Sequence, residues 1–272
     1  MRSLHARDQY KAMCAVCKAD VVQAYVNGEG YLRDMVSTEQ AAAGDPSRPS
    51  FRVSDAIQAF VDELSAEPGV CGIGLFGSQA RGTARVGSDA DLLVLVEQPG
   101  FVMECTERGG QEFEVVRLGE ATAIQYFTDN RDAAADAWPT ARILHDPQGR
   151  LGLVRDHALA LVAEGKPAVD EARLEYLRLS SADHIRAAAR LSATDVAAAR
   201  MVLYDKVVDL TGLYFDVRQM WRPHLKRRMA SIGELDREFH DLLEHLFATD
   251  TTVDEQVRLA HIVVGRVFEK LD

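Results

Sequence analysis

Apolar residues change their spacing once along this chain, near residue 150. Before that point short apolar runs of strand length alternate with helical stretches; from Leu151 onward every apolar run repeats at helical spacing. Val70 to Phe76 and Leu92 to Val96 are continuous apolar runs, the pattern of strands covered on both faces. Phe101 to Thr106 and Gln111 to Leu118 read as a hairpin across Arg108-Gly109-Gly110. Ahead of them Ser54 caps a predicted helix running to about Ala66, with Ile57, Phe60, Val61 and Leu64 on one face and Glu67-Pro68-Gly69 as its stop. Residues 119–139 predict helix ending at Trp138-Pro139, and 141–146 an edge strand closed by Pro147-Gln148-Gly149. The second half predicts helices over 151–162, 170–191, 195–221, 234–247 and 253–271, with Thr194 and Thr251 as caps.

These elements give an α/β (α+β) expectation: a small mixed sheet flanked by helices, then an all-α helical bundle. Residues 1–50 form an N-terminal arm of two short helices broken at Asn27-Gly28-Glu29-Gly30, with 43–50 as linker; 51–150 is the sheet domain and 151–272 the helical domain. The arm has no assigned role, although packing on the sheet domain or helping a homodimer form would suit it. At 272 residues there is enough chain for these cores. No apolar run approaches membrane-spanning length and no apolar segment follows the basic N-terminus, so a cytoplasmic protein is expected. Four cysteines are too scattered for a disulfide framework; Cys14 and Cys17 form a CxxC with no second ligand pair at finger-like spacing, better read as two small helix residues. The net charge of −11 counts against long nucleic acid as a partner and suits a small acceptor, cationic ones included.

One stretch serves chemistry better than packing: GIGLFGSQARGTARVGSDADLLVLV, Gly72 to Val96. Gly77-Ser78 makes a sharp turn into a helical turn at Gln79-Ala80-Arg81, where backbone N–H groups favour phosphate oxygens. Ser88-Asp89-Ala90-Asp91 then leads into the second apolar strand. Side chains two apart share a strand face, so Asp89 and Asp91 point the same way and repel unless a cation neutralises them; magnesium, which prefers oxygen ligands and bound phosphates, suits them. Aspartates capping a turn are the bland alternative. That alternative leaves unexplained why two acids open an otherwise apolar strand.

Gly77, Ser78, Arg81 and Gly82, followed by Ser88, Asp89 and Asp91, resemble the signature of the DNA polymerase β-like nucleotidyltransferase superfamily: a GS turn, a short helix, and DxD at the start of the next strand. The resemblance implies transfer of a nucleoside monophosphate from an NTP, with release of pyrophosphate. It implies that Asp89 and Asp91 ligate two Mg2+ ions, that Gly77 and Ser78 hold the β- and γ-phosphates of ATP or another NTP with Ser88 nearby, and that Arg81 pairs with a phosphate or a sheet carboxylate. A third carboxylate belongs on the neighbouring strand. Glu114 is chosen because Glu-Val-Val resembles the corresponding stretch of aminoglycoside adenylyltransferases, as metal ligand or general base; Glu112, two residues earlier on the same face, is the runner-up. The segment RILHDPQGR, in which His145 reads as a strand-end residue, resembles the close of the catalytic domain in bacterial small-molecule nucleotidyltransferases. Met220 to Lys226 resembles a segment that sends a lysine towards the triphosphate, making Lys226 a candidate phosphate contact, although Lys226-Arg227-Arg228 also reads as a solvated helix end.

Around this centre, Glu171, Glu175, Asp205, Asp209 and Asp216 could face the cleft or simply be solvated, and Tyr204, Tyr214 and Trp221 could line an acceptor pocket or, the better reading, belong to the core. The leading function is adenylylation of a hydroxyl on a small molecule, as in aminoglycoside or lincosamide resistance. Two others stand beside it: modification of a protein or tRNA in the manner of toxin–antitoxin nucleotidyltransferases, whose helical partners share the permissive spacing of Arg178 and His184, and a catalytically inactive scaffold that binds nucleotide or a partner.

Overall fold

The computed structural model describes residues 52–269; the expectations for residues 1–50, with Cys14 and Cys17, fall outside the described residues. Helix α1, Asp55–Ser65, begins where Ser54 Oγ accepts from the Ile57 N–H at 3.3 Å. Its apolar face, Ile57, Phe60, Val61 and Leu64, is at most 4% exposed. Full burial of one such side chain contributes about 1.5–3 kcal/mol, so this face alone holds the helix to the sheet.

Strand β1, Val70–Phe76, runs into the short helix α2, Gly77–Arg81. Strands β2 (Ala90–Val96), β3 (Phe101–Arg108) and β4 (Gln111–Gly119) follow, then helices α3 (Glu120–Asp129) and α4 (Arg131–Ala137), strand β5 (Arg142–His145) and helix α5 (Arg150–Ala163). The sheet order is β3-β4-β2-β1-β5, with β2 and β4 parallel and the other neighbours antiparallel. The β3–β4 hairpin is longer than the sequence pattern suggests: pairing continues to Arg108–Gln111 and the turn is only Gly109-Gly110, both at positive φ. Two residues at positive φ match the twist of a tight hairpin and need glycine.

Helix α1 covers one sheet face, where Ile73, Leu75, Leu92, Val94, Phe113 and Val115 are buried. Helices α3, α4 and α5 cover the other, over Cys71, Leu93, Leu95 and Leu118. Gly72 lets α5 approach closely, since a Cβ there would lie 2.7 Å from Leu151 Cβ. Residues 119–139 are two helices rather than one. Asn130 breaks them by turning both its backbone N–H and its side-chain Nδ2 onto Tyr126 O, at 2.9 Å each.

Five further helices complete the described residues: α6 (Glu171–Leu191), α7 (Val196–Val217), α8 (Leu225–Leu235), α9 (Arg237–Phe247) and α10 (Val253–Phe268). Their common core is α7, buried on most sides against Ile185 of α6, Ile232 of α8, Phe239 and Leu243 of α9, and Val263 of α10. Three expectations are corrected in detail. The caps of α7 and α10 are Asp195 and Thr252, one residue beyond Thr194 and Thr251, and Thr251 instead donates to His245 O at 2.7 Å. Helix α7 ends at Val217 rather than continuing to Trp221. A whole helix, α8, fills most of the gap left open between 221 and 234, and Asp236 separates it from α9 by capping the latter through the Phe239 N–H at 3.0 Å. None of the helices among the described residues is long and apolar enough to cross a membrane.

Candidate active site

The site is built where β1 ends and β2 and β4 begin. Antiparallel pairing sets Phe76 opposite Asp91, and parallel pairing sets Asp91 opposite Glu114, so the GS turn and two carboxylates line up across three adjacent strands. Asp91 lies inside β2, with Asp89 one residue ahead of the strand. Gly77 is fixed as glycine twice over: its φ is +66°, and a Cβ would collide with the Asp91 carboxylate. The turn and the carboxylate are therefore packed against each other, with no room for a side chain between them.

The register separates the two candidate glutamates. Glu114 is the direct neighbour of Asp91 across β2–β4, half-buried, and its charge acts on Asp91. Glu112 is exposed and faces Glu107 across the hairpin end.

Asp91 shows the character of the site most clearly. Burial, then the charges of Asp89 and Glu114, push its pKa up to about 6, while Lys226 and Arg81 pull the other way. Asp91 thus lies in a setting short of positive charge, and an oxygen-only donor set of this kind suits a hard divalent cation. Among the described residues the ligand atoms that already converge within 4.8 Å belong to another group, His240, Asp241 and Glu244 on α9. Asp89, Asp91 and Glu114 do not all converge to that distance. Asp91 and Glu114 are direct partners on adjacent parallel strands, a spacing of about 4.8 Å between backbones.

Ser78 is on α2 beside Gly77. Ser88 acts locally, since its hydroxyl accepts from the Arg85 N–H at 2.9 Å and its carbonyl accepts from Gln111 Nε2 at 2.8 Å and Gln79 Nε2 at 3.5 Å. It ties the loop between α2 and β2 to both ends of the site. Arg81, in the last turn of α2, lies close enough to Asp91 and to Arg227 to act electrostatically on both.

Of Lys226-Arg227-Arg228 only Lys226 matches the solvated helix end, Arg227 and Arg228 being partly buried. The cluster opens α8, where positive charge opposes the helix dipole. Arg227 pairs with Asp136 of α4, and Arg228 donates to Val208 O and Thr211 Oγ1 of α7 at 3.3 and 3.2 Å. The Lys226 side chain is exposed and its charge is felt at Asp91. Asp132 and Asp136, which join this part of the molecule to the sheet side, are absent from any reading of the sequence as site residues. Two aspartates four apart in the alanine-rich stretch RDAAADA were the available signal.

Other candidates are used elsewhere. Asp216 is buried between Lys166 Nζ at 2.6 Å and the Arg222 guanidinium, which hold its carboxyl below the usual range against the opposing effect of burial. Glu175 pairs with Arg178, Asp209 pairs with Lys206, and Glu171 and Asp205 are exposed. Tyr214 is 3% exposed and stacks on Phe239, while Tyr204 takes a 2.6 Å hydrogen bond from Gln256 Nε2. Trp221 Nε1 donates to Val162 O of α5 at 3.3 Å, docking the chain after α7 onto the sheet side. His184 Nδ1 turns back to Ser180 O on its own helix, and His145 closes β5.

Residues 57–140 match the nucleotidyltransferase domain family. That span runs from α1 through α4 and includes Gly77, Asp89, Asp91 and Glu114 as well as Asp132 and Asp136. No curated protein sequence matches the chain. Among solved structures it is similar to a nucleotidyltransferase-like protein from Exiguobacterium sibiricum 255-15, at 15% identity and a TM-score of 0.43, over 78% of this chain and 73% of that one.

Proposed function

We propose that the protein is a magnesium-dependent nucleotidyltransferase that transfers a nucleoside monophosphate, AMP from ATP, to a hydroxyl of a small acceptor and releases pyrophosphate. The observation carrying this reading is the register that sets Glu114 beside Asp91 at the strand end facing the Gly77 turn. Two magnesium ions bound there would neutralise charge on the attacking and leaving oxygens.

Within this reading each residue has a definite role. Asp89 and Asp91 hold the metal. Glu114 either completes the metal site or takes the proton from the acceptor hydroxyl as that oxygen attacks the α-phosphorus. The N–H groups at the start of α2, with Ser78, receive the β- and γ-phosphates, because first-turn N–H groups have no partner inside the helix. Lys226 and Arg81 offset the charge of the donor's phosphates as it binds. The acidic net charge favours a small, cationic acceptor of the aminoglycoside or lincosamide kind over a polynucleotide.

The test is direct. Purified protein, magnesium and each NTP are incubated with a panel of aminoglycosides, lincosamides and other hydroxylated metabolites, following pyrophosphate release and product mass. A gain of one nucleoside monophosphate on one compound establishes donor, acceptor and reaction class. Silence with NTP binding intact transfers the proposal to a protein or RNA acceptor, and absence of NTP binding leaves the scaffold.

A further inference from the structure

The chain between α7 and α8 has an unusual source of support. Pro223 keeps residues 222–224 out of a helix, and a backbone that leaves a helix must find acceptors for its N–H groups elsewhere. Here α4 supplies them. The Arg222 N–H donates to Asp132 Oδ1 at 2.7 Å and the His224 N–H to Asp136 Oδ1 at 2.9 Å, while Pro223 has none to place. The same carboxylates bind side chains: Lys166 Nζ meets Asp132 at 2.7 Å and the Arg227 guanidinium meets Asp136. His224 Nδ1 accepts from the Lys226 N–H at 3.3 Å, so α8 starts at a defined point. Asp132 and Asp136 are one helical turn apart and share a face.

We propose that Asp132 and Asp136 are positioning residues: by clamping residues 222–227 onto α4 they hold the Lys226 ammonium at the carboxylate end of the sheet, where it grips the phosphates of the donor. This rests on the nucleotidyltransferase reading and adds to it a mechanical link between the helical half and phosphate binding. A lysine on an unclamped turn would lose freedom on binding, and fixing it beforehand lowers that cost. The clamp therefore acts on donor affinity, through KM for the NTP, and leaves kcat at saturation nearly unchanged.

A double-mutant cycle tests this on the full chain. Binding of magnesium tripolyphosphate, a probe without base or acceptor, is measured by titration calorimetry for the wild type, Lys226→Ala, Asp136→Asn and the double variant. Lys226→Ala is expected to weaken binding about tenfold. Asp136→Asn should weaken it several-fold when Lys226 is present and leave it unchanged in the Lys226→Ala background, and KM for ATP should follow the same pattern. Equal weakening in both backgrounds, or none in either, overturns the clamp and leaves the nucleotidyltransferase reading standing. Folded wild type that fails to bind the probe overturns both. Should Asp136→Asn not fold, Asp132→Asn, which keeps the Arg227–Asp136 pair, enters the same cycle with the same criteria.

Discussion

Replacing Asp91 by Asn removes a metal ligand in the proposed mechanism, yet it should stabilise the fold when no metal is present. The carboxylate of Asp91 is half-buried against two like charges and ionises only near pH 6. The gap between about 3.9 in an unfolded chain and that value corresponds to about 3 kcal/mol of unfavourable interaction in the ionised native state. Partial access to water reduces the part that reaches folding to about 1–2 kcal/mol. The sign follows from proton counting. Between about pH 4 and pH 6 the native state binds more protons than the unfolded chain, so wild-type stability falls as pH rises through this window, and above it the penalty is complete. The assay is urea unfolding followed by circular dichroism, with chelator present, at pH 8 and at pH 4.5. Asp91→Asn should exceed the wild type by about 1–2 kcal/mol at pH 8 and by about a third of that at pH 4.5. With saturating magnesium at pH 8 the order should narrow or reverse, because only the wild type gains from the bound ion. A variant equal to or less stable than the wild type in chelator at pH 8 would show that the carboxylate is not under strain, and the metal assignment would lose its electrostatic basis.

Other expectations follow from the same geometry. Glu114→Gln should lower transfer about 100-fold or more and weaken magnesium binding, whereas Glu112→Gln should leave both nearly unchanged, since Glu112 is exposed at the hairpin end; the reverse ranking in a steady-state assay would move the third carboxylate. Gly77→Ala should cost about 2 kcal/mol or more in thermal unfolding and abolish transfer, because positive φ and the collision with Asp91 act together. Asp216→Ala takes its carboxylate partner from Arg222 and leaves Lys166 with Asp132 alone, and should destabilise the chain by about 2 kcal/mol, read from denaturant midpoints.

The fold was legible wherever local chemistry and tertiary need agree. The Val70 to Phe76 run became a central strand because both faces are covered, and α1 followed from Ser54 and its apolar face. Where a single polar side chain decides, the pattern was blind. Asn130 divides one expected helix into two by competing for Tyr126 O, and Asp236 sets the boundary between α8 and α9, yet neither interrupts the apolar spacing. The carboxylates were visible as residues, since acids opening an apolar strand are anomalous. Their ranking, Glu114 before Glu112, rested on the resemblance of Glu-Val-Val and not on spacing, because the neighbour of Asp91 depends on the β2–β4 register, and a register is a property of two strands. For the same reason Asp132 and Asp136 were hidden: their partners lie some ninety residues away, around Pro223.

Four aspartates among the described residues fall into two electrostatic settings, and in the proposed mechanism the division separates scaffold from chemistry. Asp132, Asp136 and Asp216 each meet a cation directly, and Asp216, nearly buried, still ionises more readily than an ordinary carboxylate. These ion pairs hold the helical half against α4. Asp91 is the opposite case. It shares its strand end with two more acids, and Arg81 and Lys226, the cations that oppose them, fail to return its pKa to the ordinary range. Folding alone would favour an apolar or amide side chain at that position, as the Asp91→Asn experiment measures. Three carboxylates gathered there call for a cation, and in the proposed reaction a divalent ion carrying a nucleotide's phosphates would supply that charge while Lys226 would meet the far end of the same phosphates.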